Sequence, residues 1–469
     1  MRNRLDDAKS DLIARSAGVA ERGRRRADDE ALLKRYYRHV APEDLVDRDP
    51  VDVYGAAASH RRMAAERPQG TAAVRVYTPT VDEHGWSSGH TVVEIVTDDM
   101  PFLVDSVTMA LGRMERNIHL VVHPQLVVCR DVSGRLLDIL DMDDSDPGVN
   151  ERSDAMVESW IHIEIDREPN PDELQRIDTE LRSVLRDVRE AVEDWPRMRQ
   201  RAEEIADELA KNELPVPEES AAEAEELLRW LVDNHFTFLG YREYAAERRD
   251  GTPVLQPVTG TGLGILRGDE ELSSARLPAD ASDAQLLVLT KANSKATVHR
   301  DAYLDYVGVR SFDASGEVTG ERRFLGLFTS AVYYESVLRI PVLRRKARQV
   351  LELSGLAPTS HSGKDLLQVL ETYPRDELFQ TPVDDLASIA MAVVHLQERR
   401  QLRMFVRADE YGRFLSFLVY LPRDRYNTEV RERIQRLLLD ATGGRTVDFT
   451  VSIGESRLAQ VHFVVRMPP

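Results

Sequence analysis

The chain has 469 residues, enough for about three domains at roughly 150 residues each. Its formal net charge of −19 argues against broad contact with nucleic acid or anionic membrane, while 42% apolar residues suffice for sizeable cores. A single cysteine, Cys129, excludes an internal disulfide framework and a Cys-rich zinc site, and suits a reducing cytosol.

Residues 1–68 read as a charged helical segment. The opening MRNRLDDAKSDLIARSAG has no apolar stretch of the kind a signal peptide needs, and no apolar run in the chain reaches the ~18 residues of a membrane span. Arg22, Arg24, Arg25 and Arg26 run into Asp28, Asp29 and Glu30. The acids cancel the local field, which favours a solvated helix face over a nucleic-acid arm.

Residues 85–195 read as a first α+β domain. TVVEIVT (91–97) is a predicted strand. From Pro101 to Arg116, Leu103, Val107, Ala110, Leu111 and Met114 recur at helical spacing. Asp98 and Asp99 stand ahead of that helix, and Pro101 suits a first turn. Residues 118–130 read as a second strand. In 157–166, Val157, Ser159, Ile161, Ile163 and Ile165 alternate with Glu158, Trp160, His162, Glu164 and Asp166, the pattern of a third. A helix follows from about Pro171. The order βαββα is most of a split-βαβ, ferredoxin-like unit.

Residues 196–230 are charged and Ala/Glu-rich, broken at LPVPEES, and read as a helical connector. Residues 231–335 read as a mixed α+β domain with an antiparallel sheet of PAS-like shape, in which Asp313, Ser315 and Gly316 mark a hairpin. Residues 336–400 read as helical. Residues 401–469 form a second βαββ pattern. Two strands flank Tyr411-Gly412. Asn427 suits the N-cap of a helix with Val430, Ile434, Leu437 and Leu438 on one face, and Gly443-Gly444 ends it. Val447, Phe449, Val451 and Ile453, and then Val461, Phe463 and Val465, give the last strands. Because the chain stops there, this domain reads as incomplete: either the chain is a fragment, or a partner supplies the missing layer.

The common catalytic signatures fail on spacing. Gly260, Gly262, Gly264 and Gly268 lack the dinucleotide pattern and its flanking strand and helix. SHSGKD (360–365) has no glycine at P-loop distance, and Asp365 stands where Ser or Thr belongs, so it reads as a helix start. The acidic run from Asp141 misses an EF-hand at Asp146 and Arg152. His119 and His123 lie on a strand, where they cannot pair as on one helix turn. Cys129 reads as inert core. No catalytic, NAD-binding or metal-ligating residue is assigned.

Other segments resemble the N-terminal part of the large-form bacterial NAD-specific glutamate dehydrogenases. They include TDDMPFLVDSVTMAL (97–111), ESWIHIEID (158–166), DNHFTFLGYREY (233–244), LTKANSKATVHR (289–300), YPRDELFQ (373–380) and QERRQLRMFVRADEYGRFLSFLVYLPRDRYNTEVR (397–431). The likeness covers about residues 70–469. It implies ACT-like modules with a regulatory or assembly role, a catalytic module downstream that uses NAD to convert L-glutamate to 2-oxoglutarate and ammonia, and cytoplasmic homo-oligomers. The alternative is a stand-alone ACT/PAS-like amino-acid sensor, or an oligomer scaffold without activity.

An effector-binding ACT module has Asp-x-Pro-Gly-Leu-Leu between its first strand and helix. Asp99, Pro101, Leu103 and Val104 match it, Asp98 precedes it, and Phe102 replaces the glycine. Two readings stand. In one, Asp98, Asp99, Pro101, Phe102 and Leu103 bind an amino-acid effector, with backbone N–H groups on its carboxylate and an Asp on its ammonium. In the other, Asp99 caps the helix, Phe102 packs, and the module docks on a neighbour. PRDELFQ (374–380) and PRDRYN (422–427) offer Arg/Asp groups for inter-subunit ion pairs or for local bonds, the local role being favoured.

Overall fold

The computed structural model describes residues 2–19, 25–143, 145, 146, 152, 154–211, 213–249, 252–268, 275, 276, 285–399, 401–409, 411–454 and 456–468. Of the arginine run, Arg22 and Arg24 lie outside them, as does much of the acidic run after Asp143. The chain forms two compact units, residues 1–192 with 296–301, and residues 193–295 with 302–469.

The first unit opens with helices α1 (Arg2–Ala17), α2 (Arg25–Tyr36) and α3 (Pro50–Met63). Next come β1 (Ala73–Tyr77), a short α4 (Val81–His84), β2 (Thr91–Asp98), α5 (Leu103–Arg113), β3 (Ile118–Val122), β4 (Gln125–Arg130), β5 (Leu136–Ile139) and β6 (Ala155–Ile165). The sheet order is β1-β2-β6-β4-β5, with β3 also on β6, and every pairing is antiparallel. The expected βαββ is present as β2, α5, β3/β4 and β6. The outer position beside β2, which a ferredoxin-like unit fills with its last strand, is taken by β1, which comes first in the chain.

Both faces of this sheet are buried. Residues 91–97 of β2 and 158–165 of β6 are all inaccessible. The face bearing Val96 and Trp160 packs on Leu12, Ile13, Leu33, Tyr36 and Val53 of the three N-terminal helices. Glu94 lies opposite His162, and Val96 opposite Trp160. A row of strand residues that reads as polar therefore carries a helical layer.

Helix α6 (Pro171–Lys211) is continuous through Pro196, which costs it one backbone hydrogen bond. Within the second unit its Met198, Ala202, Ile205, Ala206 and Leu209 enter the main core, so the expected connector is a packed element. After α7 (Glu218–Trp230) come β7 (Phe236–Arg249), β8 (Thr252–Pro257), β9 (Leu263–Gly264), β10 (Ala275–Arg276), β11 (Leu287–Lys295), β12 (Tyr303–Phe312) and β13 (Val318–Phe328). The antiparallel order is β10-β8-β7-β13-β12-β11, with β9 on β7. The β12–β13 hairpin turns at Asp313, whose carboxylate accepts from the N–H groups of Ser315 (2.8 Å) and Glu317 (3.0 Å), while Gly316 takes φ 86°.

Helices α8 (Ser330–Tyr334), α9 (Leu343–Ser354), α10 (His361–Thr372), α11 (Arg375–Gln380) and α12 (Val383–Arg399) follow. Then come β14 (Arg403–Ala408), β15 (Phe414–Pro422), α13 (Thr428–Thr442), β16 (Thr446–Ser452) and β17 (Leu458–Arg466). Asn427 caps α13 by accepting from Val430 N (2.8 Å), and Gly443 closes it at φ 66°. The order is β14-β15-β17-β16. This corrects the expectation of a sheet short of a strand. As in the first unit, the fourth position is filled by the strand that precedes the βαββ. One face packs on Val430, Ile434 and Leu438 of α13. From the other, Leu418, Tyr420 and Leu458 join the main core.

Candidate functional site

The loop from Asp98 to Leu103 joins β2 to α5. Asp98 accepts from Arg67 Nη2 (2.7 Å), Arg189 Nη1 (2.9 Å) and Gly70 N (3.1 Å). Burial raises its carboxyl, but the two guanidiniums outweigh that and hold it below the usual carboxylate range. Asp99 does not cap α5, the role expected of it in the packing reading. Its Oδ1 accepts from Ser159 Oγ of β6 (2.5 Å), so the carboxylate ties the loop across the sheet instead. Pro101 is exposed and Leu103 is buried.

Phe102 is the residue ahead of α5, with φ 73° and ψ −1°. The glycine of the ACT pattern thus falls at a position whose backbone is left-handed, where glycine carries no Cβ penalty. Its ring packs against His299, centroids 4.8 Å apart. The segment 296–301 is fastened to the same unit at several points. His299 N donates to Ser106 Oγ (3.0 Å), Thr297 Oγ1 to Asp187 (2.6 Å), and Arg113 to Asp301 (2.5 Å) and to Ala296 O (2.8 Å). The five candidate residues lie in one short stretch interrupted only by Met100, but both aspartates already have partners, and Phe102 is half-buried against His299.

Sequence reasoning missed those partners. Arg67, Arg189 and His299 lie about 30, 90 and 200 residues away from the loop in sequence. The only signal was His299 inside the family-like segment LTKANSKATVHR.

Beside the loop lies a buried charge network. Glu158 accepts from Arg67 Nε (2.9 Å) and Nη2 (2.5 Å), from Arg130 Nε (2.6 Å) and Nη2 (2.9 Å), and from Trp160 Nε1 (3.0 Å). A second cluster surrounds His60. Its Nδ1 faces Tyr36 Oη at 2.8 Å and its Nε2 faces Ile95 O at 3.1 Å. Those partners assign a neutral ring that donates from Nε2. Burial pushes the imidazole down to about 4. Glu164 is held at about 2, where His162 and Arg48 outweigh its burial. Arg48 grips it with both terminal nitrogens (2.6 and 2.9 Å).

The remaining candidates resolve locally. His119 bonds Asp166 (2.7 Å) and His123 bonds Ser159 (3.1 Å), so the two rings are separately engaged. Cys129 is buried in β4. Gly264 N donates to Asp194 (2.9 Å), and Arg267 Nε to the same carboxylate (2.9 Å), so this glycine loop is pinned to α6. Ser360 caps α10, accepting from Gly363 N (3.0 Å). Within PRDELFQ, Glu377 meets Arg407 (2.8 Å) and His462 (3.5 Å) in its own unit. Burial raises its carboxyl, but these two hold it at about 2. Among the described residues, no group of three or more His, Cys, Asp or Glu side chains could hold a metal ion. No helix among them is long and apolar enough to cross a membrane.

Two four-stranded ferredoxin-like cores with the same strand order, separated by a mixed domain and a helical block, define a two-ACT-domain protein. Residues 32–181 match the family model described as glutamate dehydrogenase, ACT1 domain; residues 340–399 match glutamate dehydrogenase, helical motif 1; and residues 403–469 match glutamate dehydrogenase, ACT2 domain. The chain is 40% identical over 452 residues to an NAD-specific glutamate dehydrogenase of Halomonas elongata, covering 94% of this chain and 28% of that protein. A second, from Pseudomonas aeruginosa, is 40% identical over 446 residues, 93% of this chain and 27% of its own length. A third, from Mycobacterium tuberculosis, is 33% identical over 413 residues, 87% and 24%. Through these three domains the chain belongs to the glutamate dehydrogenase family, and it spans about a quarter of the length of the curated relatives it matches.

Proposed function

We propose that this chain is the N-terminal regulatory and assembly region of a large NAD-dependent glutamate dehydrogenase. The whole protein would convert L-glutamate, NAD and water to 2-oxoglutarate, ammonia and NADH in the cytoplasm, as a homo-oligomer. A catalytic module downstream would hold the NAD. The observation that carries this reading is the pair of ACT-matched sheets with one shared strand order in a single chain.

In this reading the loop of Asp98, Asp99, Pro101, Phe102 and Leu103 is a docking joint. The support is that Asp98 is held by two arginines, Asp99 by Ser159, and Phe102 by His299. The middle sheet takes a PAS-like role as a spacer and sensor platform. Counting β7, β8, β11, β12 and β13 as one to five, its order is 2-1-5-4-3, the order of a PAS-type sheet.

Peptide mapping of the native polypeptide tests the reading. Peptides that continue from this sequence into a catalytic module are expected. A native product of 469 residues alone would overturn it in favour of a stand-alone module.

A further inference from the structure

The two ACT sheets are covered differently. In the first unit, the opening half of α6 runs along β1 and β2: Arg182 donates to Val74 O of β1 (2.7 Å), and Arg189 to Thr97 Oγ1 of β2 (3.0 Å). Its apolar side, with Ile177, Leu181, Val184 and Val188, is buried. Val74, opposite Ile95 and on the face away from the N-terminal helices, is only 8% exposed. Residues 166–170 lead from β6 into this helix, with Pro169 in the link and Pro171 at the first helical position.

In the second unit the corresponding strip is exposed. Helix α13 lies over β16 and β17. Arg431, on one flank of α13, stacks on Phe449 of β16 (4.1 Å), so Leu437, on the opposite flank, faces the β14 side. Met404 and Val406 of β14 stand opposite Val419 and Phe417, which places them on the α13 face. Met404, Val406 and Leu437 are exposed by 46%, 53% and 60%. Past the outer edge of β14 the strip opens into a groove of about 540 Å³, whose far wall is Pro382, Asp385, Ser388 and Ile389. An apolar row on an edge strand is a surface that native proteins cover.

We propose, resting on the reading of this chain as one region of a longer polypeptide, that the residues following β17 form an amphipathic helix that lies on this strip as α6 lies on β1 and β2. β17 pairs with β15 along its length, and Arg466 at its end is opposite Phe414, so a continuing segment starts one strand away from β14. The sequence there is Arg466-Met467-Pro468-Pro469, and proline again suits the first turn of a helix. β15 has 9 residues and spans about 30 Å, a length that about 20 residues of helix cover. The helix sets an apolar stripe on Met404, Val406 and Leu437 and turns a polar side to Asp385 and Ser388.

The test uses the full polypeptide beside the 469-residue chain. Peptide mapping comes first: a native product of 469 residues alone would overturn the longer-polypeptide reading, and this helix with it. In the full polypeptide, p-benzoylphenylalanine in place of Val406, an exposed position, is photolysed and the cross-linked peptide is sequenced. The expected cross-link stays within one polypeptide and falls in the first ~30 residues after Pro469, the reach of a short link and that helix. Met404→Cys should react with a maleimide at least about tenfold more slowly in the full polypeptide than in the 469-residue chain, because the helix must first open. A cross-link to a second copy, to another protein or to a more distant segment would overturn the helix and leave the longer polypeptide standing. So would the absence of a cross-link, or a Met404→Cys thiol equally reactive in both.

Discussion

The rings of Phe102 and His299 pack 4.8 Å apart, and both residues hold left-handed backbones, φ 73° and 80°. Two strained positions, far apart in sequence, thus support one another above the start of α5. For Phe102 two terms oppose: the left-handed backbone costs about 1 kcal/mol for a residue with a Cβ, and the ring contact returns a similar amount. Phe102→Ala keeps the strain and loses the ring, so it should be destabilised. Phe102→Gly loses the ring but sheds the strain, so it should be about 1 kcal/mol more stable than Phe102→Ala. Urea unfolding of the two variants decides it. An alanine variant as stable as the glycine variant would mean that the left-handed backbone at position 102 carries no strain.

Glu158 is fully buried and answers two guanidiniums and an indole. Neutralising it takes the carboxylate from buried Arg130 and leaves fully enclosed Arg67 with Asp98 alone. Glu158→Gln should therefore cost about 3–5 kcal/mol, the usual penalty for breaking a buried pair. Chemical denaturation should report a loss of that size. A change under 1 kcal/mol would mean that water reaches the network.

Acid should weaken the first unit in a defined window. His60 is held at about 4 in the folded protein and has a value near 6.5 when unfolded. As pH falls through 6.5 the unfolded chain takes the proton first. Stability is therefore lost between about pH 6.5 and 4, by up to about 3 kcal/mol. In the second unit Glu377, held at about 2, gives a separate loss below about pH 4.5. Unfolding curves at pH 7, 5.5 and 4.5 should show the first loss, and His60→Gln should flatten it. An unchanged pH dependence in that variant would place the loss elsewhere.

Gly134 takes φ 87°, and an added Cβ would press on the Arg67 carbonyl. Its own carbonyl receives Arg67 N (2.9 Å) and Arg130 Nη1 (2.7 Å). Gly134→Ala should destabilise by at least about 1–2 kcal/mol through both strain and contact, with the control Gly89→Ala near neutral because nothing lies within 4 Å there. Comparable losses in the two variants would contradict this.

The repeated βαββ was legible because its signals are local. Alternation marks β6, the Asn427 cap and Gly443 bound α13, and Asp313 with Gly316 makes its hairpin within five residues. The fourth strands were harder. β1 has only five residues with Arg75 at its centre, and both β1 and β14 precede the unit they complete. The N-terminal segment looked solvated because its charges are visible and their destinations are not: Arg48, in the turn before α3, reaches Glu164 across 116 positions. At the candidate loop, Asp98, Asp99 and Phe102 were found from a motif. The partners that occupy them, Arg189 and His299, are set only by tertiary folding.

The proposed regulatory region and the catalytic module would divide their work along one long polypeptide. The direct measurement is glutamate-dependent NADH formation by the purified 469-residue chain beside the full native polypeptide. Turnover is expected from the full polypeptide and none from the chain. NADH formed by the pure chain would contradict it.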